Sequence, residues 1–287
     1  MSTIKMLSEQ LHGNFNPISL DEVNNKAALL QRKDNKYLVP VSAFIDLLVS
    51  AHDDFDVLTI AQQRVFAYST MYYDDCNYQC YLDHHNGRRC RIKIRERLYE
   101  QSQVKFLEVK LKSKRKATVK YRQNSQSDSD NSLSGHAMAF INQKYASHYS
   151  REFDMILRSS LAMRYHRFTL VARQSSERVT VDSQLCFIGK SSLTRLHEDQ
   201  LIIEVKSANG SGRFDKLLRQ NGFRPRTKLS KYCLGLCLTD QPTRSNNFLK
   251  RIRELNYSTE PNHYGSIHNA LESLQAQHEA VQYAEAI

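Results

Sequence analysis

Between Arg91 and Tyr99 the sequence RIKIRERLY places Arg91, Lys93, Arg95 and Arg97 at intervals of two. In a β-strand that spacing sends all four side chains to one face, while Ile92, Ile94 and Leu98 share the other with Glu96 as the exception. The same alternation sets Glu108, Lys110 and Lys112 against Leu107, Val109 and Leu111, and Lys120 and Arg122 against Val119 and Tyr121. Later in the chain Arg178, Thr180 and Asp182 oppose Val179 and Val181, Glu204 and Lys206 oppose Ile203 and Val205, and Lys228, Ser230 and Tyr232 oppose Leu229 and Lys231. A single half-charged strand is ordinarily the wet face of an antiparallel sheet. Four cations in one strand and a Glu-x-Lys step in two others exceed what a wet face needs. Closed into a barrel, such faces meet across a lumen where the cations repel unless an anion fills it. Arg supplies bidentate forks and Lys supplies point charges, a mixture suited to a chain of phosphoryl groups.

Carboxylates on those faces would repel phosphate, and a Mn²⁺ or Mg²⁺ ion resolves this by standing between carboxylate and phosphate oxygens. Glu204 is the first candidate ligand and Glu108 the second. For Glu204 an ion pair with a neighbouring Arg or Lys is the competing reading, and the residues alone leave both open. His84-His85 with Cys76 and Cys80 has the residue types of a zinc site, but cysteines four apart in a strand-like stretch more often pack. There is no G-x-S-x-G elbow to support a hydrolase triad.

The elements that must carry these side chains can be read in order. Ser19-Leu-Asp-Glu22 forms a capping box, predicting a helix from Leu20 to Gln31, followed by a strand at Asn35 to Val39. Pro40 leads into a second helix, Val41 to His52, with Phe44, Leu47 and Leu48 on one face. From Arg64 the apolar period becomes two, and AQQRVFAYSTMYYDD, RRCRIKIRERLYE, VKFLEVKLK and KATVKYRQ read as a meander with His85-Asn-Gly87 as turn material. Residues 124–135 are polar and low in complexity, a surface insertion before a helix around His136 to His148. The strand theme repeats in SSLAMRYHRFTLVA, ERVTVDSQLCFI and DQLIIEVKSA, then a short helix, Phe214 to Gln220, stops at Asn221-Gly222. KLSKYCLGLCL is expected to be a final strand. Beyond Asp240, Ile267, Leu271, Leu274 and Val281 fall on one side of a terminal helix. Phe106-Leu-Glu-Val-Lys110 echoes Ile202-Ile-Glu-Val-Lys206, as equivalent strands of two duplicated halves would.

The chain has 287 residues with 41 Lys plus Arg against 30 Asp plus Glu, a formal charge of +11 that calls for a polyanionic partner. Its 40% hydrophobic content fills a core and argues against disorder, and the absence of Trp weakens a base-stacking surface for single strands. Six cysteines without a CxxC pair, no apolar leader at the start and no membrane-length apolar run predict a cytoplasmic protein with reduced thiols.

RKDNKYLVP, YSTMYYDD, RIKIRERLY, FLEVKLK, TVKYR, RYHRFTLV, RVTVDSQL, LIIEVK and KLSKY occur in this order. Together they resemble the VTC polyphosphate-polymerase domain of the triphosphate tunnel metalloenzymes, from about residue 28 to about 240. The resemblance implies an α+β fold, a closed antiparallel β-barrel of about eight strands with flanking helices. It places an N-terminal helical extension at 1–27, the tunnel domain at 28–240 and a helical tail at 241–287. The implied activity is metal-dependent transfer of the γ-phosphoryl group of ATP onto a growing polyphosphate chain, with Mn²⁺ or Mg²⁺ held by Glu204 and, secondarily, Glu108. By similarity Lys36, Lys110, Lys120, Arg167 and Ser230 bind phosphate with Tyr165 beside Arg167, while Arg95, Arg97, Lys228 and Lys231 form the catalytic set. Lys93, Lys112, Arg122, Arg178 and Lys206 extend the phosphate lining on the same strands. Lys231 conflicts with strict alternation, which a bulge or strand end would reconcile. Arg32-Lys-Asp-Asn-Lys36 lacks the E-x-E-x-K strand of the triphosphatase branch, which favours a polymerase. The chain is similar to the stand-alone bacterial form rather than to eukaryotic relatives with a sensing domain and membrane spans. A peripheral place at the inner face of the membrane, with a membrane-protein partner taking up product, is compatible with that form. The alternatives are a non-catalytic polyphosphate or nucleic-acid binder, although no sequence-specific nucleic-acid signature is present, and a metal-dependent triphosphatase.

Overall fold

The computed structural model describes residues 3–26, 33–113, 118–125, 133–242 and 244–285. The first part of the chain forms α1 (Thr3–Asn14), β1 (Asn16–Ile18), α2 (Leu20–Lys26), β2 (Lys33–Pro40), α3 (Val41–Ala51), β3 (Phe55–Leu58), β4 (Phe66–Asp74), α4 (Gln79–His85), β5 (Arg91–Tyr99), β6 (Val104–Lys112) and β7 (Thr118–Asn124). It continues with α5 (Gly135–Tyr149), β8 (Arg158–Ala172), β9 (Arg178–Ile188), β10 (Ser192–Leu196), β11 (Gln200–Ser207), α6 (Arg213–Gln220), α7 (Lys231–Thr239), α8 (Leu249–Ile252), β12 (Tyr257–Pro261) and α9 (Ile267–Glu285). The fold is α+β around an antiparallel sheet with the strand order β12-β10-β9-β8-β4-β5-β6-β7. Off that path β11 pairs with β2 and β9, and β3 with β1 and β8.

Local chemistry accounts for many of the boundaries. The Ser19 amide and hydroxyl both donate to Glu22 Oε2, at 2.9 and 2.6 Å, and the Glu22 amide donates back to Ser19 Oγ at 3.3 Å, closing the predicted capping box. The predicted continuation of α2 to Gln31 and most of the polar 124–135 stretch lie outside the described residues. Gly222, with φ +84°, ends α6 in the left-handed region as its position after Asn221 implied.

The chain divides into two compact units, one of residues 1–67, 165–185 and 196–229, the other of residues 68–164, 186–195 and 230–287. In the first, Tyr37 and Val39 of β2, Val179 and Val181 of β9, and Ile203 and Val205 of β11 form an apolar face. Leu7 and Leu11 of α1, Phe44 and Leu48 of α3, and Phe214 and Leu218 of α6 belong to the same core. Burial of a large apolar side chain contributes about 1.5–3 kcal/mol, so this face sets the register of all three strands. Asp215 ties α6 to β2 and β11: it accepts from Tyr37 Oη at 2.7 Å, Asn35 Nδ2 at 2.8 Å and Ser207 Oγ at 3.1 Å.

In the second unit Ile92 and Ile94 of β5 and Leu107, Val109 and Leu111 of β6 pack with Ala137, Ile141 and Tyr145 of α5 and Ile267 and Ala270 of α9. The exceptional Glu96 on this side accepts from Tyr73 Oη at 2.7 Å and from Ser125 Oγ. In both units helices cover the apolar positions, and strand alternation turns the charged positions to the opposite face. β6 and β11, which carry the echoed Glu-x-Lys step, are each the middle of three strands, β5-β6-β7 and β9-β11-β2.

Two expectations are corrected. KLSKYCLGLCL is not a strand: Ser230 caps α7 and Lys231 is its first residue. The segment after β4 forms α4, because the Asp74 carboxylate accepts the Cys80 and Tyr81 amides at 2.9 and 3.0 Å. The His85-Asn-Gly87 turn therefore leads from a helix into β5 rather than between strands, with Gly87 at φ +70°. Among the described residues no helix is long and apolar enough to cross a membrane.

Candidate functional site

On β5, β6 and β7 the register stacks the cations row by row. Arg91 faces Lys112, Lys93 faces Lys110 and then Lys120, and Arg95 faces Glu108 and then Arg122. Glu108 is fully buried at the centre. Its Oε2 accepts from Arg95 Nε at 2.7 Å and Nη2 at 2.5 Å, its Oε1 pairs with Lys120 Nζ, and Arg97 Nη1 stands 4.0 Å away. Burial pushes the Glu108 carboxyl up, but Arg95, Arg97, Lys120 and Lys110 outweigh it and hold the group well below the usual carboxylate range.

Arg95 is also fixed from behind. Its Nη1 donates to Tyr72 Oη at 3.0 Å, the Tyr72 ring stacks on Tyr232 at 4.8 Å, and Tyr232 donates to Asp74 Oδ2 at 2.5 Å. A chain of hydrogen bonds joined by one ring stack thus runs from the N-terminus of α4 to the cationic face. At the Lys93 end of β5, Lys93 Nζ donates to Ser230 Oγ at 2.8 Å, and Ser230 in turn accepts from the Cys233 amide at 3.5 Å. The partly positive N-terminus of α7 and Lys231 in its first turn therefore stand beside this face. The alternation conflict over Lys231 disappears, since no strand passes through it.

In the first unit Lys36 pairs with Glu204 across β2 and β11, and Arg178 pairs with Lys206 across β9 and β11. Lys36 Nζ lies 3.1 Å from Glu204 Oε1, and Lys206 Nζ lies 2.9 Å from Oε2. Burial alone would pull the Lys36 ammonium down, but Glu204 raises it; Lys206 is pulled down because its burial outweighs the same carboxylate. Arg167 grips Asp182 with Nε at 2.5 Å and Nη2 at 2.8 Å, and its guanidinium carbon lies 5.3 Å from the Tyr165 ring centroid. Lys228 is exposed, with a left-handed backbone at φ +60°, just before α7.

A divalent ion fits one of the two candidate carboxylates better. Mg²⁺ and Mn²⁺ are commonly held by one or two carboxylates together with substrate phosphates and water. Among the described residues no cluster of three or more His, Cys, Asp or Glu forms a protein-only cage, so such an ion would rest on a single carboxylate and the ligand. Glu204 retains 19% side-chain exposure, and the two cations that flank it are lysines, which are 33% and 11% exposed. Glu108 is sealed, and the cations around it would repel a metal.

Lys120 carries a pH dependence. Burial lowers its ammonium, Glu108 opposes that, and Arg95 and Arg97 add repulsion, leaving it at about 8. It is charged below that pH and neutral above, so a bound polyanion would draw a proton onto it in alkaline solution. Calorimetry of tripolyphosphate binding should show affinity falling up to about tenfold per pH unit above about 8, and Lys120→Arg should flatten most of the decline.

Several residues here escaped the sequence reading: Tyr72, Asp74 and Tyr232 as the support of Arg95, and Thr70 opposite Arg97. The signal was the parity of Tyr68, Thr70 and Tyr72, which becomes informative only once their partners Tyr99, Arg97 and Arg95 are known.

A family model described as the VTC domain matches residues 31–239. No curated protein matches the chain. Among solved structures, a Pyrococcus horikoshii OT3 protein is similar with 12% identity and a TM-score of 0.40, over 71% of this chain and 98% of its own. A Hippeastrum protein, titled as an adenylyl cyclase candidate with dominant triphosphatase activity, has 12% identity and a TM-score of 0.44 over 72% of this chain and 95% of its own. A Bacillus halodurans protein titled as an adenylate cyclase candidate has 13% identity and a TM-score of 0.39, over 70% and 97%.

Proposed function

The chain belongs to the VTC domain family, and from that premise we propose that it is a polyphosphate polymerase that moves the γ-phosphoryl group of ATP onto a growing polyphosphate chain. Family membership by itself implies phosphate and triphosphate chemistry. The observation that carries the finer reading is Glu204, a partly accessible carboxylate held between Lys36 and Lys206 on a strand face with Arg178 and Arg167. That arrangement suits a metal-bound triphosphate better than a bare anion.

In this reading the sheet closes as a barrel and its cationic faces line the lumen. Lys36, Lys206, Arg178 and Arg167 hold phosphoryl groups in the first unit, and Lys93, Lys110, Lys112 and Lys120 do so in the second. Arg95 and Arg97 present charge whose direction is fixed by Glu108 and Tyr72. Lys228, Ser230 and Lys231 meet the chain end, where the first-turn amides of α7 add donors without a cost in reorganisation. A Mn²⁺ or Mg²⁺ ion on Glu204 would supply neutralisation of phosphate oxygens. Phosphoryl transfer through a loose transition state needs positioning and charge more than covalent help, and exclusion of water favours transfer over hydrolysis.

Competition binding separates this from a nucleic-acid binder. Tripolyphosphate and ATP should each displace a fluorescent polyphosphate completely, whereas RNA of equal charge should require far higher concentration. RNA displacing as well as tripolyphosphate, with no nucleotide turnover, would favour the binding protein instead.

A further inference from the structure

The cationic face of the second unit changes character at its far end from α7. Tyr68 of β4 and Tyr99 of β5 are register partners with ring centroids 4.9 Å apart, and Phe106 of β6 meets Tyr99 edge-on at 5.8 Å. Arg97, the partner of Phe106, has its guanidinium carbon 5.6 Å from the Tyr68 ring centroid. Arg122 of β7 stands 3.3 Å above the Phe106 centroid and 5.6 Å from that of Tyr99. Arg122 is exposed, so its guanidinium covers Phe106 and is accessible from solvent. Within the same cluster Thr70 faces Arg97 across β4 and β5. Thr70 Oγ1 and Arg97 Nε are buried and have no hydrogen-bond partner among the described residues.

A phosphate chain can use the charge of Arg97 but not the three rings, whose negative faces repel it. A planar heteroaromatic base uses the whole cluster. Bases stack on aromatic rings and on guanidinium planes, and base nitrogens supply the partners that buried polar atoms require. We propose that Tyr68, Thr70, Arg97, Tyr99, Phe106 and Arg122 form a nucleoside subsite that takes the base and ribose of a nucleoside triphosphate. Its phosphates then run along β5 past Arg95 toward Lys93 and the N-terminus of α7. Arg122 acts there as a stacking surface rather than as a phosphate ligand. This inference rests on the triphosphate-binding reading above and adds the substrate's other half and its direction.

The test compares ATP with ribose 5′-triphosphate, which keeps the phosphates and lacks the base, by calorimetry without metal. Wild type should bind ATP about tenfold more tightly than the base-free compound. In Phe106→Leu and Arg122→Gln that ratio should fall toward one, with ribose triphosphate still bound. Thr70→Val keeps the side-chain shape, so it should lower the ratio with no loss of melting temperature. Equal affinities of wild type for the two compounds, or variants that weaken both alike, would overturn the subsite while leaving triphosphate binding intact. Failure of either compound and of tripolyphosphate to bind would remove the triphosphate reading itself, and the subsite with it.

Discussion

Replacement of Glu204 by Gln is expected to lower metal-dependent turnover of ATP by about 10²- to 10³-fold, since a metal's stabilisation of phosphoryl charge is worth several kcal/mol. The substitution also releases Lys36 and Lys206 from the carboxylate they share. Metal-free tripolyphosphate should therefore bind the variant more tightly than wild type, because two cations no longer have a competing anion. The pair of opposite effects is diagnostic. If Glu204 served only as a counter-ion, turnover would change little and would keep its metal dependence; such a result in steady-state assays across a Mn²⁺ titration would withdraw the metal assignment.

Glu108→Gln should act on stability instead. The carboxylate is fully buried, and its removal leaves Arg95, Arg97, Lys110 and Lys120 to repel one another. Loss of one partner from a buried charge cluster costs about 3–5 kcal/mol. Denaturant unfolding should show that deficit at neutral pH. The folded carboxyl lies below its unfolded value of 4.5, so its contribution is present above that pH and fades as pH falls toward the depressed folded value. The difference between wild type and variant should accordingly narrow in acid. Tripolyphosphate should raise the melting temperature of the variant more than that of wild type, since it replaces the missing anion. An equal rise in both would mean that the cations around Glu108 do not meet the ligand.

The contrast between these two glutamates was only half legible in the sequence. Both occupy the same step, Phe106-Leu-Glu-Val-Lys110 and Ile202-Ile-Glu-Val-Lys206, and alternation alone put each on a charged face. What distinguishes them is which residues the neighbouring strands bring into register: Arg95 and Arg122 for Glu108, Lys36 and Thr180 for Glu204. Pairing is a non-local property, and no local pattern encodes it.

The charged strands and their faces were readable because one side is apolar at a period of two, interrupted in β5 by Glu96. α7 was not, for a physical reason. From Tyr232 to Thr239 every residue is buried, so no period separates helix from strand. Gly235 further masked the helix, since glycine lowers helix propensity. The position demands it: a Cβ there would lie 2.5 Å from Leu161 Cδ2 and 2.7 Å from Phe187 Cδ1. α4 was hidden because its capping carboxylate, Asp74, lies six residues before Cys80 and ends a strand. β12 carries no alternation, being exposed throughout its five residues.

A polyphosphate polymerase must build chains from ATP. The most direct measurement incubates the purified protein with ATP and Mn²⁺ or Mg²⁺, then resolves the products on a gel stained for polyphosphate while free phosphate is assayed in parallel. Chains that lengthen with time and are lost in Glu204→Gln and Lys231→Ala are the expected result. Free phosphate without chains would contradict it in favour of a triphosphatase, and the absence of both products would leave a protein that binds phosphate without transferring it.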